Sequence, residues 1–176
     1  NRRQRQMCIR DRLVVLAGES GEGGRRENPI RQIHGRHSRG GGSEKNQRRM
    51  SPDERLMERL RHHCLAKPGT TVEMPFDERT VVFKVGGKMF CLLDAFEFSG
   101  CGMKCDPGLI PELRASFEGV TTGPYLNAKH WNSVHPEPFG DVPWSMFLEL
   151  IDHSYTLVWK GLTRKVKMAI EETQTR

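Results

Sequence analysis

Two glycines set between two strand-forming runs limit this chain more than any other feature. Thr80-Val81-Val82-Phe83-Lys84-Val85 is rich in β-branched residues, and Lys88-Met89-Phe90-Cys91-Leu92-Leu93 answers it across Gly86-Gly87. Both central positions of so short a loop need positive φ, which glycine alone adopts freely, so a tight hairpin and an antiparallel sheet are predicted. Helix signals surround it. Ser51-Pro52-Asp53-Glu54 has a cap residue, a proline at the first helical position and a glutamate three residues after the cap, a complete capping box. From there Leu56, Leu60 and Cys64, flanked by Met57 and Leu65, form one apolar stripe, and Lys67-Pro68-Gly69 ends the helix.

The remaining elements follow the same logic. Thr71–Phe76 reads as a short strand, Asp77-Glu78-Arg79 as a turn, and Gly102–Cys105 as a strand stopped by Asp106-Pro107. Pro107 to Phe117 reads as a short helix with Leu109, Ile110, Leu113 and Phe117 on one side. A loop marked by Gly119, Gly123 and Pro124 leads to a last strand, Lys129–Val134. Asp141 is placed to cap a long final helix whose buried stripe is Phe147, Leu150, Ile151, Ser154, Leu157, Val158 and Leu162. This order predicts an α+β fold, with N-terminal and C-terminal helices packed against an antiparallel sheet.

Charge divides the chain in two. The overall net charge is +6, but residues 1–49 hold 13 Lys+Arg against 5 Asp+Glu, leaving 15 basic and 17 acidic side chains in the other 127 residues. The first 49 residues also carry 8 of the 18 glycines and no aromatic residue, so they cannot bury enough surface to offset chain entropy. They are expected to be a disordered basic tail. Met7-Cys8-Ile9-Arg10-Asp11-Arg12 resembles the translation of a transposon-end adapter used in sequencing libraries, so the tail is expected to be read-through, with the native start at Met50, ahead of the alternatives of a phosphate-gripping Arg/Gly tail or a signal or transit peptide. Residues 50–176 are then the domain. No apolar run approaches the roughly 18 residues that span a bilayer, so no membrane role is expected. Five cysteines without regular spacing argue against a secreted disulfide framework.

Catalytic and metal motifs are absent from the pattern. Cys91, Cys101, Cys105 and His130 lack the paired spacing of a zinc site, and buried thiols account for them better. No GxSxG occurs, and Val85-Gly86-Gly87-Lys88 is a turn rather than a phosphate loop. His62 and His63 suit the C-terminal end of the first helix, where a cation meets the dipole. Neither a metal nor a cofactor is expected. Lys84 and Lys88 flank the Gly-Gly turn and are predicted to sit together at one end of the hairpin. Lys104 and Lys129 fall on or beside candidate strands, and Arg164, Lys165 and Lys167 form a basic cluster after the last helix. Trp131 is read as a core residue, which turns His130 and Asn132 to the opposite face as better site candidates.

Several ordered blocks together resemble the MmcQ/YjbR family. These are Pro68-Gly69, Glu73, Phe76 and Phe83–Phe90; Lys104-Cys105-Asp106-Pro107; Tyr125-Leu126-Asn127 with Lys129-His130-Trp131-Asn132; and Ile151-Asp152-His153-Ser154-Tyr155. The resemblance covers about residues 52–167. It implies the YjbR-like, CyaY-like α+β fold and the family's usual description, a non-enzymatic DNA-binding protein of the bacterial cytoplasm. It transfers no catalytic residue. The candidate DNA contacts are Lys84, Lys88, Lys104, Lys129, His130 and Asn132. The alternative is a small-molecule or protein-binding module in which Trp131 and Tyr125 line a pocket. Iron delivery through an acidic first helix ranks last, because Asp53, Glu54 and Glu58 are too few.

Overall fold

The computed structural model describes Arg12 and residues 50–174, so the expectations for the basic tail otherwise lie outside the described residues. The chain runs α1 (Pro52–Leu65), β1 (Thr70–Glu73), β2 (Thr80–Val85), β3 (Lys88–Asp94), β4 (Cys101–Lys104), α2 (Ile110–Ser116), β5 (Val120–Thr121), β6 (Trp131–Val134), α3 (Trp144–Lys160) and α4 (Arg164–Gln174). The strands form one six-stranded sheet in the order β1-β2-β3-β4-β6-β5, and every named pair is antiparallel.

Local chemistry explains most boundaries. Ser51 Oγ accepts from the Glu54 amide at 3.1 Å while the Ser51 amide donates to Glu54 Oε2 at 2.6 Å, closing the capping box that starts α1. Asp77 Oδ1 accepts from the amides of Arg79 and Thr80 at 2.9 and 2.6 Å, which bends the chain into β2. Gly86 and Gly87 take φ of +55° and +76°, the mirror-image turn that a two-residue hairpin favours. The β2–β3 register shifts between Phe83 and Lys84, a bulge that turns Phe90 inward.

One face of the sheet is covered by helices. The core gathers Phe83, Val85, Phe90, Cys91 and Met103 from the sheet, Leu60 and Cys64 from α1, and Phe147, Leu150, Ile151 and Val158 from α3. Ser154 is fully buried among them. Its Oγ donates to the Phe90 carbonyl at 2.5 Å and accepts from the Lys104 amide at 2.8 Å, bridging β3 and β4 where their ladder has ended. The carboxylate of Asp152 joins α3 to α1 through His63 Nε2 at 2.6 Å, and to the turn after α1 through Lys67. Tyr155 Oη donates to the Pro68 carbonyl at 2.8 Å. Among the described residues no helix is long and apolar enough to cross a membrane.

Four expectations are corrected. Asp141 does not cap α3; its carboxylate accepts from the amides of Gly119 at 2.8 Å and Glu118 at 3.2 Å, while α3 starts after Pro143 without a side-chain cap. A carboxylate serves whichever bare amides the fold brings nearest, and here these come from 22 and 23 residues away. Arg164, Lys165 and Lys167 do not follow the last helix but belong to α4, whose Val166 and Ile170 pack on the core. The loop after α2 contains β5, a two-residue strand too short for a periodic signal. Finally, Lys129 and His130 lie in a turn ahead of β6 rather than on it.

Candidate nucleic-acid interface

The register assigns each candidate to a face. Directly paired residues share a side of the sheet, and Phe83, Cys91, Met103 and Asn132 form a row on the helix-covered side. The neighbouring row, Val82, Leu92, Gly102, Ser133 and Thr121, lies on the other face, as do the partners Lys104 and Trp131.

This placement separates the six candidates. Lys84 Nζ donates to Glu73 Oε2 at 2.5 Å across the non-helical face, so its charge is neutralised by a neighbouring strand. Lys88 Nζ instead reaches the Gly161 carbonyl at 3.2 Å, at the C-terminal end of α3. The two lysines that flank the turn therefore lie on opposite sides of the hairpin. Asn132 does face away from Trp131, but that side is the covered one. It is 1% exposed, and its Oδ1 accepts from Arg114 Nε at 2.9 Å. Asn132 is a structural residue, not a surface contact. Lys104, Lys129 and His130 do come together: β4 runs beside β6, and the Cys105 amide donates to the His130 carbonyl at 2.8 Å.

A built loop holds this end of the sheet. Leu126 lies over Gly102 and Gly123, where a Cβ would stand 2.9 and 2.8 Å from Leu126 Cδ1, so a side chain at either position would have to displace Leu126. Asn127 organises the following turn: its side chain accepts from the Lys129 amide at 2.9 Å, and its carbonyl accepts from the amides of His130 and Trp131 at 2.9 and 3.0 Å. Arg114 braces the turn from below, with Nη2 donating to the carbonyls of Ala128 and Trp131, both at 3.0 Å. Sequence reading passed over Arg114, because its partners are 14 to 18 residues away and no local pattern links them.

Tyr125 crowns the loop. Its backbone has φ of 62°, the left-handed region that non-glycine residues seldom occupy, and its side chain is fully exposed at 106%. Trp131, by contrast, is 9% exposed. It is buried as expected, though on the face opposite the main core. Of the two rings, Tyr125 is thus fully open to solvent and Trp131 largely covered. The thiols are elsewhere. Cys64, Cys91 and Cys101 are linked by hydrogen bonds inside the core; Cys91 is held well above the usual thiol range by its bond to Cys101 and by burial, the bond from Cys64 only partly opposing this. Burial pushes Cys105 up to about 12, whereas the His130 side chain is exposed.

Comparisons with known proteins agree with this architecture. The YjbR family model matches residues 65–157. The uncharacterized protein YbdF of Escherichia coli O157:H7 is 30% identical over 113 residues, which span 62% of this chain and 89% of YbdF. The uncharacterized protein YjbR of Escherichia coli strain K12 is 30% identical over 97 residues, covering 54% of this chain and 80% of that protein. The crystal structure of Deinococcus radiodurans protein DR2400, a DUF419 domain, superposes with a TM-score of 0.60 at 33% identity, over 65% of this chain and 87% of that one.

Proposed function

The chain belongs to the YjbR family, and from that premise we propose that it is a non-enzymatic DNA-binding protein that engages unpaired bases through the β5–β6 loop. The observation that carries this reading is Tyr125, a fully exposed aromatic ring on a residue with a left-handed backbone. Left in water, the ring buries nothing and offers its faces to a partner. A base stacked on the ring gains about 1–3 kcal/mol, and every base has a face to offer. Lys104, Lys129 and His130 are then the groups that meet the phosphates on either side. Asp106 at the same end of the sheet limits the positive field, and its Oδ1 is engaged by the Gly108 amide at 2.7 Å. The four free thiols among the described residues are buried, which suits the reducing bacterial cytoplasm, where we place the protein.

The test is fluorescence anisotropy with a labelled single-stranded oligonucleotide, on the full chain at raised salt. High salt suppresses the contribution of residues 1–49, whose net charge of +8 would otherwise attract any polyanion. Tyr125→Ala is expected to weaken binding by roughly 5- to 150-fold, the equivalent of one lost stack, with an unchanged melting temperature. Affinity that is the same for Tyr125→Ala and the parent, or that vanishes in both at raised salt, would count against the proposal.

A further inference from the structure

A groove runs along the opposite end of the molecule, between α1 and the sheet edge formed by β1. It encloses about 580 Å³, with Phe83 and Leu93 on its floor, Met57 on the helix side and Val72 and Met74 on the strand side. Val72 and Met74 are 40% and 54% exposed. β1 has one strand neighbour, β2, so its other edge presents backbone donors and acceptors without a strand among the described residues. Natural edges are usually blunted by lysine, proline or a bulge. Thr70-Thr71-Val72-Glu73 contains none of these, and its one charge, Glu73, is paired with Lys84 on the face away from the helices.

An occupant must satisfy two demands at once. It must offer an extended backbone to the β1 edge, and it must project apolar side chains at alternate positions into the groove. A small apolar molecule meets only the second. The chain itself carries such a segment: β1 and the residue that follows it, with Val72 on the helix-covered side because it pairs with Phe83, and Met74 lining the same groove. The charges of the rim point the same way. Glu58 and Arg61 lie three residues apart on α1, 3.6 Å from each other and each about half exposed. A ligand of one sign would be attracted by one and repelled by the other. A second copy, related by a two-fold axis normal to the sheet, would set its α1 antiparallel to the first, with Glu58 facing Arg61 in both directions.

We infer that the protein self-associates through β1, forming an antiparallel β1–β1 pair that continues the sheet across two copies. The two α1 helices then lie on the same side, because paired residues of antiparallel strands share a face. Val72 and Met74 of each copy fill the groove of the other, so one contact closes two grooves and covers two edges. The surface is distinct from the β5–β6 loop, which stands at the other edge of the sheet.

Sedimentation equilibrium of the full chain tests this over a wide concentration range. The mass is expected to rise from 20.2 kDa toward twice that value. Val72→Lys should raise the dimer dissociation constant roughly tenfold or more, with far-UV circular dichroism and melting temperature unchanged. Glu58→Arg should also weaken the dimer, and Glu58→Arg combined with Arg61→Glu should restore it, since the two-fold pairs each charge with the other. These surface variants keep the test open even if Val72→Lys were to misfold. A monomer at every concentration would overturn the inference, as would a dimer indifferent to Val72→Lys and to the charge changes. A monomer that binds an extended apolar peptide along β1 would overturn it too, by assigning the groove to another partner.

Discussion

Ser154→Ala isolates one hydroxyl on which the joint between helix and sheet depends. β3 and β4 pair only at Cys91 with Met103 and Leu92 with Gly102, and one step further the strands part at the bulge. There Ser154 Oγ serves both backbone groups that the ladder leaves unpaired, donating to the Phe90 carbonyl at 2.5 Å and accepting from the Lys104 amide at 2.8 Å. Alanine fits the space, so the cost comes almost wholly from the two groups left without partners. A buried polar group without a partner costs about 1–3 kcal/mol. The vacated volume of one oxygen atom is too small for a water to take over. The expected loss is therefore about 2–4 kcal/mol, a large share of the roughly 5–15 kcal/mol of an ordinary domain. Urea titration should show a lower midpoint with an unchanged slope, and hydrogen exchange at the Lys104 amide should accelerate. Thr156→Ala is the control, because its Oγ1 only back-bonds to the Asp152 carbonyl at 2.8 Å within α3. A loss below about 0.5 kcal/mol for Ser154→Ala, the size of an ordinary surface change, would refute the reasoning.

Gly86 and Gly87 should respond differently to alanine. Both pay the left-handed strain of about 1–2 kcal/mol, but a Cβ at Gly86 would also stand 2.8 Å from Leu162 and Val166, whereas Gly87 has nothing within 4 Å; equal melting temperatures for the two variants would contradict this. The pH dependence of stability should reflect His153, whose pKa is lowered from 6.5 by burial and by Lys160, against the opposing pull of Asp106. Below that value the unfolded chain takes up a proton that the folded state refuses, so stability should fall as pH drops from about 6.5, and His153→Gln should flatten that part of the urea-midpoint profile. Burial pushes the Asp152 carboxyl up, but the hydrogen bonds from His63 and Lys67 outweigh it and hold its pKa below 3.8. Its contribution is present above that value and should be lost as pH falls through the lower folded one, an acid-limb loss that Asp152→Asn would remove. Trp131→Ala should cost about 3 kcal/mol in a thermal or urea melt, and an unshifted melt would mean that its burial is not stabilising. Removing residues 1–49 should change stability by less than about 1 kcal/mol, since that segment has no aromatic residue and too little apolar sequence to build a core; a larger drop in the melt would show that the segment packs on the domain.

What the sequence determined by itself are the features whose causes lie within three or four residues. The capping box at Ser51, the Gly86-Gly87 turn, the Asp77 turn and the apolar spacing of Leu109, Ile110, Leu113 and Phe117 are each complete in a short window. In each of these a side chain or a dihedral angle satisfies its own neighbours, and no tertiary contact is needed to recognise it. The family resemblance extended this reach by carrying blocks such as Asp152–Tyr155 whose purpose is not local. Tertiary structure decided the rest. Lys84 and Lys88 stand four positions apart, yet the bulge and the pleat send one to Glu73 and the other to Gly161. Asn132 alternates away from Trp131 as strand geometry demands, but which face the helices would cover is a question of packing, and it turned a candidate contact into a partner of Arg114. Likewise Asp141 had the position of a cap and was drawn instead to Gly119 and Glu118. The periodicity of a strand tells which residues share a side; only the assembled layers decide which side meets water.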